Sequence, residues 1–299
     1  MEKALLSDRR MRALTGLDGP AFVELEKRFA GVVAGELAQR TRAGQPRQRA
    51  AGAGPKGALP GVRHQLFFIL FYLKVYPTQD VMGWLFGLSQ PQVCARVGQL
   101  LPLLQTLMQA QLPARHGRDL AQVLTQRPEI KEVLIDGTER PIARPEHKGR
   151  RDRHYSGRRK RTTIKNVLAT AGGRVVLLTP TVAGRRHDKA QADQARVRLG
   201  GTMRVLGDSG FQGYAAGAAR VCTPRKKPRE RPLHWRHREA NRRLARERVA
   251  VEHTLASVKR LGILRQPLRA KRRELADEVM LIGCALHNYR QDRRAPAQN

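Results

Sequence analysis

Glu252 is a carboxylate inside a strongly basic stretch, RERVAVEHTLASVKR, that has helical spacing. On such a helix Arg248, Glu252 and Lys259 fall within roughly 40° of one another and share one stripe. The neighbouring stripe is apolar and predicts the face that packs on a core, with Leu244, Val251, Leu255 and Val258. Glu252 therefore stands at the edge of the packing face. For the helix alone, an ion pair between Arg248 and Glu252, worth about 0.3 kcal/mol, is the simpler explanation.

Two aspartates follow short apolar runs that predict β-strands. Asp136 closes VLID and Asp208 closes RVLGD, and a small turn residue follows each aspartate. A side chain at the end of an α/β strand is exposed above the sheet, where ligands bind. A turn-capping role explains either aspartate when it is considered alone.

Taken together, Asp136, Asp208 and Glu252 suggest a site for hard divalent cations. Mg²⁺ prefers oxygen ligands and is typically held by one or two carboxylates plus substrate phosphate. Three carboxylates can hold two ions about 3.5–4 Å apart, which assist the attacking and leaving oxygens of a phosphoryl displacement. The three acids therefore predict a site that cuts or joins phosphodiesters.

The overall charge favours nucleic acid as the partner. The 299-residue chain has a formal net charge of +33, enough to bind polyanions nonspecifically. A membrane surface is the competing polyanion, but the longest apolar run, QLFFILFYL, is shorter than the roughly 20 residues that span a bilayer. The N-terminus lacks the pattern of a secretory signal, and three scattered cysteines without CxxC spacing predict neither a disulfide framework nor structural zinc.

The first part of the chain predicts helices. Residues 19–40 have apolar side chains at helical intervals after a possible N-cap at Asp18, and a basic Gly/Pro-rich linker follows. From residue 64 onward three helical runs alternate with breaks, and Ser89 is placed to cap the third run. This pattern fits either an ordinary helical hairpin with a solvated polar face or a helix-turn-helix whose polar side chains face DNA, and the net charge of the chain favours the second. The candidate contacts with bases or phosphates are Gln92, Arg96 and Gln99.

The second part predicts a mixed α/β domain. After residue 128, short β-branched runs alternate with helical segments. The run RKKPRERPLHWRHREANRR, residues 225–243, predicts a DNA-facing insertion before the helix that carries Glu252.

These motifs resemble the DDE transposases of bacterial insertion sequences, in the branch related to Harbinger elements. That branch carries Tyr-x2-Arg-x3-Glu-x6-Lys, in which Arg248, Glu252 and Lys259 fit in register and Ala245 takes the tyrosine position. Further matches are DGTERPIARP, HYSGRRKRTTIKNVLAT, GRRHDKA and GDSGFQGY. Residues 64–110 are similar to the helix-turn-helix that precedes this catalytic domain.

The resemblance implies an RNase H-like catalytic domain, an α/β fold with a mixed sheet flanked by helices, preceded by an all-α helix-turn-helix domain. We expect an N-terminal helix and linker over residues 1–60, the helix-turn-helix domain over 61–118 and the catalytic domain over 128–292. Asp136, Asp208 and Glu252 would be the catalytic residues and the ligands of two Mg²⁺ or Mn²⁺ ions.

The implied activity is that of a metal-dependent endonuclease and strand transferase, which binds the terminal inverted repeats of its element, excises it and joins it to target DNA. Arg248 and Lys259 would contact DNA phosphate or orient Glu252. His187 and Asp188 are secondary candidates, since a helix cap explains Asp188 equally well. We expect a homodimer or larger assembly on double-stranded DNA, in the bacterial cytoplasm with the nucleoid and away from membranes.

Two other function classes stay open. A transposase copy without chemistry would remain a sequence-specific DNA-binding protein, although the presence of all three acids argues against it. An RNase H-like nuclease acting in repair or on RNA would need the acids but no separate base-reading domain. The predicted helix-turn-helix disfavours that class.

Overall fold

The chain forms two compact units in a computed structural model that describes residues 7–39, 58–196, 203–215, 217, 220–269 and 273–294. The first unit comprises Met1–Gln111, Arg260–Ile263 and Asp292–Asn299, and the second comprises Leu112–Lys259 and Leu264–Gln291. Among the described residues, no helix is long and apolar enough to cross a bilayer. The predicted helix-turn-helix lies in the first unit, and the three candidate acids lie in the second.

The first unit is helical where it is described. Its helices are α1 (Asp8–Thr15), α2 (Gly19–Gln39), α3 (Val62–Val75), α4 (Gln79–Phe86) and α5 (Gln90–Leu107). Large buried side chains form the core, among them Phe22, Leu25, Phe29 and Phe68. The helix predicted over residues 19–40 is confirmed as α2, and Asp18 accepts the Ala21 N–H at 3.0 Å. The linker predicted after it lies, up to residue 57, outside the described residues.

The break between α4 and α5 has the local chemistry of a helix-turn-helix. Thr78 caps α4 by accepting the Val81 N–H at 3.3 Å, and Gly87 ends that helix in the left-handed conformation, with φ 64°. Ser89 caps α5 as predicted. Gln92 completes a capping box, because its Oε1 atom accepts the Ser89 N–H at 2.9 Å. The turn is therefore fixed by bonds that its own sequence supplies.

The second unit contains a mixed sheet. Its strands are β1 (Glu132–Pro141), β2 (Tyr155–Ser156), β3 (Arg161–Ala171), β4 (Arg174–Leu178), β5 (Val182–Ala183), β6 (Arg204–Leu206) and β7 (Arg220–Cys222). The order is β2-β3-β1-β6-β7, and β4 and β5 also pair with β3. Strand β1 is antiparallel to β3 and parallel to β6, which is parallel to β7.

Helices flank this sheet: α6 (Gly117–Thr125), α7 (Lys148–His154), α8 (Asp188–Gln194), α9 (Trp235–Val258) and α11 (Arg273–Asp292), while the short α10 (Gly262–Arg265) spans the division between the two units. Successive side chains of a strand point to opposite faces, so Asp136 and Gly137 of β1 mark the two faces. Asp136 pairs with Arg248 of α9, whereas Gly137 lies under Asp188 of α8. The expected fold, a mixed sheet flanked by helices after a helix-turn-helix domain, is confirmed.

Strand β1 does not end at Asp136, contrary to the prediction. It continues to Pro141 because its residues keep their antiparallel pairing with β3. What ends before Asp136 is the parallel ladder with β6, whose last pair is Leu134 and Leu206. The Asp-Gly sequence resembles a turn, but Gly137 stays extended and pairs with Val167.

Gly83 of α4 packs so closely on the following turn that it leaves no space for a side chain. A methyl group there would overlap the Leu88 carbonyl oxygen, whereas one at Gly98 of α5 meets nothing within 4 Å. We expect Gly83→Ala to destabilise the first unit by about 1–3 kcal/mol. Gly98→Ala should stabilise it by up to about 1 kcal/mol because alanine favours the helix. Hydrogen-exchange mass spectrometry over residues 79–107 measures both effects, and equal protection in the two variants would contradict the packing difference.

Candidate active site

The parallel ladder between β1 and β6 sets two aspartates next to each other. Its last pair joins Leu134 to Leu206, and Asp136 and Asp208 each follow two residues later. Asp208 also caps a short 3-10 turn, in which its Oδ1 atom accepts the Gly210 N–H at 2.8 Å. Turn capping and a place in the candidate site are therefore compatible for this residue.

The Asp136 carboxyl is largely buried among other charges. Its side chain is 17% exposed, and Arg248 Nη2 lies 3.5 Å from its Oδ1 atom. Burial raises the pKa of Asp136 to about 6; the Arg248 charge acts to lower this pKa, while the Asp208 and Asp188 carboxylates raise it further. The two predicted aspartates are thus close enough to interact, and Asp188 joins them.

Glu252 differs from these aspartates in its exposure. It is exposed on α9, one turn beyond Arg248, and it is not among the charges that shift the pKa of Asp136. The helix packs through the predicted stripe, with Leu244, Val251, Leu255 and Val258 buried. Within the described residues, no three His, Cys, Asp or Glu side chains are arranged to hold a metal ion. The structure brings together two of the three predicted acids.

Asp188, a secondary candidate in the sequence, packs against glycines that lie close to the two aspartates in the chain. A methyl group at Gly137 would lie 2.8 Å from Asp188 Oδ2, and a methyl group at Gly210 would lie 3.2 Å from the same atom. The preceding His187 takes the N-cap position of α8, but it is exposed and its side chain forms no capping bond. The sequence signal for this close approach is a glycine one residue after Asp136 and another two residues after Asp208.

The two predicted cations of α9 face strand β1. Arg248 forms the ion pair described above, and its Nε atom is buried without a hydrogen-bond partner among the described residues. Lys259 Nζ donates to the Glu139 carbonyl oxygen at 3.2 Å. Burial lowers the pKa of Lys259 to about 8, and the nearby charges of Arg159 and Arg140 act in the same direction. Both cations are therefore held at the strand that carries Asp136.

The predicted DNA-contacting side chains of the first unit lie along α5. Gln92 is exposed, but its side chain closes the capping box at the start of the helix. Arg96 Nη1 donates to Gln99 Oε1 at 3.1 Å, and both side chains are partly exposed. Each of the three takes part in a hydrogen bond within the helix.

Comparison with known proteins agrees with this architecture. Residues 135–288 match the DDE superfamily endonuclease family, and residues 58–110 match the helix-turn-helix of DDE superfamily endonuclease. A probable transposase for insertion sequence element IS702 from Microchaete diplosiphon is 28% identical over 250 residues, which cover 83% of this chain and 86% of that protein. No solved structure matches the chain. The resemblance seen in the sequence is confirmed, and the chain belongs to the DDE superfamily endonuclease family, with a helix-turn-helix domain ahead of the endonuclease domain.

Proposed function

We propose that the chain is a DNA transposase, a metal-dependent endonuclease and strand transferase. It binds the terminal inverted repeats of its own element, excises the element and joins it to target DNA. The observation that carries the proposal is the placement of Asp136 beside Asp208 at the end of the β1–β6 ladder. Membership of the DDE superfamily and a relative described as a probable transposase support it.

Asp136, Asp208 and Glu252 are the proposed ligands of two Mg²⁺ or Mn²⁺ ions. Endonucleases of the DDE superfamily generally use divalent metal ions. The donors fit, because carboxylate oxygens are the ligands that such ions prefer. Burial is the main cause of the raised pKa of Asp136, the neighbouring carboxylates add to it, and a bound cation would offset both. When bound, these ions supply Lewis-acid polarisation of the scissile phosphodiester.

Arg248 and Lys259 are proposed to orient Glu252 or to contact DNA phosphate. The Arg248 guanidinium lies beside Asp136 and has donor capacity left at its buried Nε atom. Lys259 ties the end of α9 to the β1 backbone. Glu252 is exposed, and we propose that it approaches both aspartates when DNA binds.

A basic arm, residues 225–243, is proposed to bind the DNA backbone. It contains nine basic and two acidic side chains, and no residue from Trp235 to Arg243 is buried. The Asn241 side chain bonds the N–H and the C=O of Arg225 at 2.9 and 3.0 Å, which holds the coil against α9. The arm is therefore an ordered, exposed cationic surface, and such surfaces supply most nonspecific affinity for DNA.

The helix-turn-helix is proposed to read sequence rather than to supply charge. Residues 58–110 contain three basic side chains and one acidic side chain, far less charge than the basic arm. Polar contacts with base edges specify sequence, whereas phosphate contacts mainly position the protein. Gln92, Arg96 and Gln99 are the proposed contacts.

We propose that the chain is divided into an N-terminal segment over residues 1–60, the helix-turn-helix domain over 61–118 and the catalytic domain over 128–292. We also propose a homodimer or larger assembly that pairs two DNA ends.

A catalytically silent, sequence-specific DNA-binding protein derived from a transposase is the second candidate. The exposure of Glu252, away from Asp136 and Asp208, favours it. Both candidates bind the element's ends, so only the chemistry separates them.

Cleavage of labelled DNA carrying the ends that flank the gene tests the chemistry. We expect the wild type to cut with Mg²⁺ and not with EDTA, and Glu252→Gln to bind the ends without cutting because a metal ligand is lost. Glu247→Gln is the matched control on the same helix. It removes only a surface ion pair with Arg204 and should cut like the wild type. Binding without cutting by the wild type would favour the silent DNA-binding protein.

Asp136 should destabilise the metal-free fold at neutral pH. Folding raises the pKa of Asp136 from 3.8 to about 6, so the ionised carboxylate costs stability when the pH is above the folded-state pKa. This cost disappears as the pH falls towards the pKa of the unfolded chain. In EDTA at about pH 7.5, Asp136→Asn should raise the free energy of unfolding by about 1–3 kcal/mol, and the gain should vanish near about pH 4.

Urea denaturation at the two pH values measures the Asp136 effect. Asp152→Asn, at an exposed position of α7, is the control and should change stability little at either pH. A loss of stability for Asp136→Asn at the higher pH would mean that its ion pair with Arg248 outweighs the cost of burial.

Salt dependence of DNA binding tests the basic arm. The logarithm of the binding constant falls with the logarithm of salt concentration by about 0.9 for each phosphate contact. Joint substitution of Arg236, Arg242 and Arg243 by Gln should therefore reduce the slope by up to about 3. The loss should be equal on end DNA and on scrambled DNA, as measured by fluorescence anisotropy.

Two further variants sharpen the salt test. The control exchanges three exposed cations of the first unit, Arg9, Arg10 and Lys27, for Gln and removes the same charge. It should change the slope much less than the arm variant. Gln99→Ala on α5 should instead reduce the preference for end DNA over scrambled DNA. Equal slopes for the arm variant and its control would contradict the proposed role of the arm.

A further inference from the structure

The Asp188 carboxylate fills the space that two glycines leave open. Its Oδ2 atom would lie 2.8 Å from a methyl group at Gly137 and 3.2 Å from one at Gly210. The Asp188 side chain is 16% exposed. An aspartate that only interacts with the start of a helix needs no such burial. Its place at the start of α8 therefore does not explain these contacts.

The same two glycines support the candidate acids. Gly137 directly follows Asp136 in β1, and Gly210 donates its N–H to Asp208 Oδ1 at 2.8 Å. A carboxylate that packs against both glycines therefore touches the backbone beside each acid. A displacement of Asp188 would change the spacing of Asp136 and Asp208, because close-packed interiors transmit such shifts.

Lys165 of β3 anchors Asp188 from below. Its Nζ atom lies 3.1 Å from Asp188 Oδ1 and 3.5 Å from Glu139 Oε1, and it donates to the Arg186 carbonyl oxygen at 3.0 Å. The Lys165 side chain is 10% exposed, so solvent screens these contacts little. Breaking a shielded pair of this kind leaves an uncompensated buried charge. Lys165 is therefore itself held by two further polar contacts, and it fixes Asp188 through one ion pair.

We propose that Asp188 is a positioning residue of the acid site: held by Lys165, it fixes the separation of Asp136 and Asp208 and thereby the affinity of the site for a divalent cation. The inference rests on the proposed function, because the cation is the one that those two acids would hold. Groups that orient metal ligands change metal affinity or activity by about 10- to 100-fold when they are removed. Asp188 needs no contact with DNA for this role.

Binding of Mn²⁺ to the full-length chain, followed by electron paramagnetic resonance, is a readout independent of activity. Asp188→Asn keeps the side-chain size and removes its charge, and Lys165→Met removes the anchor. We expect each to weaken Mn²⁺ binding by about 10-fold or more. The double variant should bind Mn²⁺ about as weakly as whichever single variant has the lower affinity, because both substitutions remove the same ion pair.

The controls define specific binding and the effect of charge alone. Asp136→Asn combined with Asp208→Asn sets the background of nonspecific Mn²⁺ binding. Asp193→Asn removes another carboxylate of α8, paired with Lys189 at 2.8 Å on the surface, and should bind Mn²⁺ like the wild type. If the Lys165–Asp188 pair were purely structural, its removal would lower the melting temperature in EDTA and leave the affinity for Mn²⁺ unchanged.

Gly137→Ala provides a second route to the same test, because it displaces the Asp188 carboxylate and keeps every charge. We expect it to reproduce the loss of Mn²⁺ affinity. It replaces Asp188→Asn in the test if circular dichroism shows that the Asp188→Asn variant does not fold. Wild-type Mn²⁺ affinity in a folded Asp188→Asn or Gly137→Ala variant would overturn the inference and leave the proposed function intact. Failure of the folded wild type to bind Mn²⁺ above background would overturn both.

Discussion

The Asp136 carboxyl is buried with two other carboxylates nearby, and the surrounding part of the second unit must offset the cost of this burial and the smaller cost of their repulsion. Burial, Asp208 and Asp188 together raise its pKa to about 6. Arg248 counters this charge from α9, and Lys165 counters the Asp188 charge from within the sheet. Groups of acids kept together at such a cost are typical of functional sites, where a ligand rather than the fold removes the repulsion. The parallel ladder of β1 and β6 holds the first two acids close regardless of that cost.

Lys165 and Arg248, the two cations beside the acids, differ in the number of polar contacts that they make. Lys165 is buried and lies within reach of two carboxylates and a backbone carbonyl, so its charge is used entirely within the fold. Arg248 has one ion pair at 3.5 Å and a buried Nε atom without a partner among the described residues. A guanidinium presents several donors in a fixed plane, so Arg248 retains capacity for a carboxylate or a phosphate. The fold thus assigns one cation to structure and leaves the other available to the proposed chemistry.

Local patterns predicted the mixed sheet, the capped turn at Ser89 and the buried stripe of α9, because each depends on residues close in the chain. The proximity of Asp136 and Asp208 was also predictable, since each lies two residues beyond an apolar run that pairs in parallel with the other. Helical periodicity identified the stripe that carries Glu252, but it carries no information on how far that stripe lies from the sheet. The burial of Asp188 is not predictable from the sequence for a similar reason. An aspartate at the start of a helix resembles a cap, and its burial depends on strands that are distant in sequence.

Helix α9 carries the second part of the basic arm, Trp235–Arg243, as well as Glu252, and this arrangement gives a physical link between DNA binding and assembly of the acids. No residue from Trp235 to Arg243 is buried, and Leu244 begins the part of the helix that packs on the second unit. In the proposed function, phosphates bound along the exposed half exert force on the same rigid helix that carries Glu252. The desolvated acids favour an approaching cation, and the bound strand brings its own negative charge, so metal and DNA binding assist each other. In this proposal Glu252 joins the two aspartates only when both are bound, which would restrict phosphodiester chemistry to the DNA-bound state.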